Sequence, residues 1–134
     1  MGQMKFPSKE IVERVRKEYP AGTRVELVRM DDLQAPPIGT RGTVTGVDDT
    51  ASIMVRWDNG SGLHVVCGED ECRKLHTVTT ICYGKKEVWD SYMEARKFFM
   101  RAIAGSEGSE RERYMKIYAE LVIGKPVCTD GEEI

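Results

Sequence analysis

The sequence predicts an α+β protein: an N-terminal helix, a small and strongly curved five-stranded β unit, then a β-hairpin and an antiparallel helix pair. Three observations carry this. Ile11, Val12, Val15 and Tyr19 recur at helical spacing between Ser8 and Pro20. Short alternating runs separated by glycine, proline and asparagine fill residues 22–75. Beyond His76 the period lengthens to 3.6 in two segments broken by Gly105 and Gly108.

The first helix is predicted from Ser8 to Tyr19. Ser8 caps it, Pro20 stops it, and its charged residues form a solvated face. "GTRVELVRM" (22–30) alternates Val25 and Leu27 with Arg24 and Glu26, so one face is buried. "DDLQAPPIG" (31–39) is a loop, because its prolines cannot donate to a ladder. In "TRGTVTGVD" (40–48), Gly42 and Gly46 suit a bent strand. "ASIMVRWD" (51–58) and "GLHVVC" (62–67) read as a hairpin. Asn59-Gly60 supplies a type I′ turn, with Val55, Trp57, Leu63 and Val65 inside. "GEDECRKL" (68–75) adds a turn and a final strand.

"TVTTICYG" (77–84) and "KKEVWD" (85–90) form a second hairpin around Gly84. Ser91 caps a helix from Tyr92 to Ala104 whose apolar face is Ala95, Phe98, Phe99, Ala102 and Ile103. Ser109 and Glu112 form a capping box for the next helix. That helix buries Tyr114, Ile117, Tyr118, Leu121 and Val122 and ends at Gly124. The division is therefore residues 1–19, 20–76 and 77–134. Whether the tyrosine-bearing face packs within the chain or against a second copy, making a homodimer, the sequence leaves open.

The 134 residues carry a net charge of −2, and 40% of them are hydrophobic. Residues 1–76 hold 11 Lys/Arg against 12 Asp/Glu, and residues 77–134 hold 9 against 10. Bulk attraction to nucleic acid is excluded, so any such contact needs a local patch. No apolar run reaches membrane-spanning length and the start lacks a signal-peptide core, so a cytoplasmic location without membrane contact is expected.

Cys67, Cys72, Cys82 and Cys128 are expected as reduced thiols. His64, Cys67, Cys72 and His76 have H-x2-C-x4-C-x3-H spacing, which lacks the tight knuckle of most structural zinc sites. Neither metal nor cofactor is expected. No enzyme is expected either: the two histidines sit in no nucleophile or acid–base pattern, and "GTRGTVTG" opens no helix. Asp31-Asp32 and Asp48-Asp49 are turn formers.

The run "AGTRVELVRMDD…PIGTRGTVTGVD…SIMVRWDNGSGLHVV…GEDECRKL" resembles an SH3-like barrel family of undetermined function from phages and mobile elements of Gram-positive gut bacteria. Gly39, Gly42 and Trp57-Asp58-Asn59-Gly60 carry most of this resemblance, over residues 20–75. It is more loosely similar to ribosomal-type RNA-binding SH3-like motifs. "EVWDSYMEARKFFMRAIAGSEGSERERYMKIYAELVIGKPVCTD" resembles a module recurrent in the same mobile elements.

The resemblance implies a non-enzymatic binding protein that inhibits host defence, of the anti-CRISPR kind, by contact with a host nuclease. The acids Asp31, Asp32, Asp58, Glu69, Asp70 and Glu71 are the candidate partner-binding residues, since barrel loops would gather them into one rim. The alternative is a nucleic-acid-binding accessory protein. It would use Arg24, Arg29, Arg41, Arg56 and Lys74, with Trp57 or Tyr83 as a stacking surface.

Overall fold

The structure, a computed structural model, describes residues 7–131. The first six residues of the start read for a signal peptide, and the last three of the C-terminal module, lie outside the described residues. The chain forms two compact units, residues 1–75 and 76–134. It is α+β, with an N-terminal helix, two sheets and a helix pair.

In the first unit, α1 (Lys9–Glu18) begins at Ser8, whose Oγ accepts a hydrogen bond from the Ile11 N–H at 3.3 Å. Val12 is buried, and Val15 and Tyr19 pack against the core. A four-stranded antiparallel sheet follows, in the order β3-β2-β1-β4. Its strands are β1 (Arg24–Arg29), β2 (Arg41–Val47), β3 (Ile53–Trp57) and β4 (Glu71–Lys74). Alternation buries Val25, Leu27, Val44, Val55, Trp57 and Cys72 on one face. The register of β2 on β3 shifts between Val44 and Gly46, a bulge that bends the strand where glycine was expected to bend it.

The hairpin after β3 departs from expectation in two ways. Among the described non-glycine residues only Ala51 and Tyr83 have positive φ, so Asn59-Gly60 is not a type I′ turn. The loop is three residues long: the Gly60 N–H bonds the Trp57 carbonyl, Gly60 has φ +93°, and the Trp57 N–H bonds the Ser61 carbonyl. Residues 62–67 then form no strand. Val65 exchanges both backbone hydrogen bonds with Ile53, in the register that pairs Trp57 with Ser61, but the middle of the hairpin stays open. The reason is the Trp57 indole, whose Nε1 donates to the Leu63 carbonyl at 2.8 Å and withdraws it from the ladder. Leu63 is consequently only half-buried.

In the second unit, β5 (Val78–Cys82) and β6 (Lys85–Trp89) make the expected hairpin. Helices α2 (Tyr92–Ala104) and α3 (Gly108–Ile123) pack together over Ala95, Phe99, Ile117 and Leu121. Ser91 caps α2 as expected. The capping box at Ser109 does not form, because α3 starts two residues earlier, with Glu107 as N-cap and no side-chain cap bond. Val122, placed in the apolar face by spacing, is exposed. A strand not anticipated, β7 (Val127–Thr129), runs parallel to β5 and completes a sheet ordered β6-β5-β7.

Candidate functional site

The sheet of the first unit presents an arginine-rich outer face. Arg24 and Glu26 of β1, Arg41 and Thr43 of β2, Arg56 of β3 and Arg73 of β4 lie on it by register. Opposite charges tie most of this face together. Arg24 is bidentate to Asp58, with Nη1–Oδ1 2.9 Å and Nη2–Oδ2 2.7 Å, and also donates to Thr43 Oγ1 at 3.1 Å. Arg73 Nε donates to Glu26 Oε2 at 2.6 Å, and Arg41 stands 3.7 Å from the same carboxylate.

Of the five cations expected to form a patch, the structure therefore gathers Arg24, Arg41 and Arg56. Lys74 belongs to the opposite row, where its ammonium covers the Tyr19 ring at 5.3 Å. Arg29 sits beyond a register shift, opposite Glu71. Arg73 was missed, although its alternation with the apolar Cys72 carried the signal. Trp57 is 1% exposed and is a core residue, which removes it as a stacking surface, while Tyr83 is exposed.

The acids divide differently. Asp31 and Asp32 follow β1, Glu69 and Asp70 form the turn before β4, and these four line one groove of about 390 Å³. Met30, Leu63 and Val66 supply apolar lining, and His64 stands among them. The open hairpin makes this shape, since the segment drawn off the ladder is one wall of the groove. Asp32 and Asp70 are structural as well: Asp32 Oδ1 accepts from the Gln34 N–H at 2.7 Å, and Asp70 Oδ2 from the Val66 N–H at 2.8 Å. Asp31 and Glu69 are exposed, and their carboxylates make no hydrogen bond or ion pair among the described residues. Asp58 is on the arginine face and Glu71 on β4, so neither joins the groove.

The thiols do not converge. Cys67 is exposed, while burial, reinforced by Glu71 and Glu18, pushes the Cys72 thiol up to about 11. Burial also raises Cys128. Among the described residues no three His, Cys, Asp or Glu side chains come together to hold a metal ion.

An N-terminal helix followed by a small antiparallel sheet with charged loops at its rim makes the first unit a compact α+β domain. Residues 8–75 match a family described as a domain of unknown function, DUF4314, and the chain belongs to that family. The match begins before the barrel-like run from residue 20, so α1 is part of the family's domain. No curated protein matches the chain. No helix among the described residues is long and apolar enough to cross a membrane.

Proposed function

We propose that this is a non-catalytic binding protein whose N-terminal unit receives a cationic segment of a partner protein in the acidic groove. The observation that carries this reading is the convergence of Asp31, Asp32, Glu69 and Asp70 around Met30, Leu63 and Val66. Carboxylates at a rim steer a basic partner, and an apolar floor holds its aliphatic stems. A host defence nuclease of the CRISPR type, met in the cytoplasm, is the partner to which the resemblance to phage proteins points.

The second reading, nucleic-acid binding, rests on the surplus of four arginines over Glu26 and Asp58 on the outer sheet face. It is weakened by the pairing that already engages Arg24, Arg41 and Arg73.

Capture of partners from a Gram-positive bacterial lysate, in nuclease-treated and untreated halves, separates the two. The groove reading expects a basic protein that survives the treatment and is lost with Asp31→Lys plus Glu69→Lys. Asp32 and Asp70 are left alone because they hold their loops. Capture that vanishes with nuclease, and with Arg56→Glu but not with the groove variant, would overturn it.

A further inference from the structure

We infer that the second unit carries a peptide-binding site that adds an extended segment of a partner protein to the edge of β6 and takes one aromatic side chain into the pocket beside it. The pocket is about 240 Å³ and lies between the hairpin and the helix pair. Tyr83, Phe98, Phe99 and Tyr114 wall it, with Lys85 and Glu87 of β6 at its rim. That volume suits a single ring rather than a drug-sized ligand. Tyr83 and Phe98 are 55% and 49% exposed, so two large aromatic groups are left wet at its mouth.

Tyr83 is held there against its backbone preference. With φ +51° beside Gly84 at +76°, it takes the first central position of a two-residue hairpin turn, where asparagine or glycine is normal. A buried carboxylate fixes it: Asp130 Oδ2 accepts from the Tyr83 N–H at 2.8 Å and from Arg113 Nη1 at 2.9 Å. The Arg113 guanidinium in turn covers the Tyr83 ring at 4.2 Å. A strained residue braced from behind so that its ring walls a pocket is the signature of a site rather than of a turn.

The neighbouring backbone selects the occupant. β6 is the end strand of its sheet. Cys82 and Lys85 close a two-residue hairpin, so Lys85, Glu87 and Trp89 spend their main-chain groups on β5, while Lys86 and Val88 direct theirs outward. Val88 is 60% exposed and no backbone hydrogen bond covers this edge among the described residues. An incoming strand would bond Lys86 and Val88. Its residue opposite Glu87 would then point to the pocket face.

Two variants test this while sparing the fold. Val88→Pro removes an outward N–H from an edge position, which proline tolerates. Tyr83→Asn removes the pocket wall but installs a residue that accepts positive φ. Random short peptides displayed and selected on the full chain should enrich one aromatic position between β-branched neighbours. Each variant, folded by circular dichroism, should weaken the selected peptides about tenfold or more. The Trp89 indole N–H resonance should shift on binding, since the Trp89 ring packs at a tilt against Phe98, with centroids 5.1 Å apart. Selection without an aromatic position, or undiminished binding by both variants, would overturn the site. Concentration-dependent dimerisation lost in Val88→Pro would overturn the assignment to a partner and give the edge to a second copy.

Discussion

Arg24 and Asp58 hold each other through two hydrogen bonds, 2.7 and 2.9 Å long, between β1 and the turn after β3. Each residue belongs, on sequence, to a different candidate surface, one for phosphate and one for a basic protein. Their pairing neutralises both claims at once and leaves Arg56 as the exposed cation of its row. The pair is partly exposed, so a double-mutant cycle with alanine at both positions should return a coupling of about 0.5–1 kcal/mol. Asp58→Ala alone should also strengthen retention on a polyanionic resin, by removing a carboxylate from the arginine face. Unchanged retention would show that the arginine face does not act as an electrostatic unit.

Gly42 is required by contact rather than by φ. A Cβ there would stand 2.6 Å from Val55 Cγ1 and 2.9 Å from both the Arg56 carbonyl oxygen and Trp57 Cε3. The backbone carbonyl cannot swing away, and Trp57 is locked by its bond to Leu63. Gly42→Ala should therefore destabilise the first unit by about 1–3 kcal/mol, read as a lower urea midpoint. Gly39→Ala meets no atom within 4 Å, and should cost only the strain of its positive φ, about 1–2 kcal/mol.

These glycines show what was legible. Helical spacing, strand alternation and the Ser8 and Ser91 caps are local, and they located α1, the strands β1 to β6 and α2, while spacing alone located α3. The open hairpin was not legible, because a side-chain donor, the Trp57 indole, competes with the ladder for the Leu63 carbonyl. Type I′ chemistry was read at Asn59-Gly60 but occurs at Tyr83-Gly84, where Asp130, 47 residues away, holds the turn. β7 is three residues long and pairs in parallel across both helices, so no periodicity marks it. The groove was half legible: loops were expected to collect the acids, but Asp58 and Glu71 were assigned by loop position without the register that sends them elsewhere.

Cys72 ties stability to alkaline pH. Its thiol is raised from 9.0 to about 11 by burial first, then by Glu71 and Glu18. An acid with a raised folded pKa stays protonated in the native state while the unfolded chain has already released its proton. Its contribution is complete below about pH 9 and is lost as pH rises toward 11. Wild type should therefore lose stability across that window more steeply than Cys72→Ala, in urea melts at pH 8 and pH 10.5. Cys67, on the surface, should react with a thiol reagent long before Cys72 does.

The Arg113–Asp130 pair should matter more than any on the outer sheet face. The Asp130 side chain is 0% exposed, and its Oδ2 accepts from the Tyr83 N–H and from Arg113 Nη1. Removing the carboxylate leaves a largely buried guanidinium and an orphaned turn N–H, so Asp130→Ala should cost about 3–5 kcal/mol. Asp130→Asn keeps an acceptor for Tyr83 and should cost less. If the pair serves stability alone, Arg113→Met with Asp130→Ala should recover much of the loss, because an apolar substitute removes both desolvated charges. If it instead braces Tyr83, the double variant should regain its urea midpoint while the Tyr83 ring loses its fixed place, seen as averaging of its NMR signals. Recovery of both would reduce the pair to a replaceable packing element; recovery of the midpoint alone would assign it to the turn.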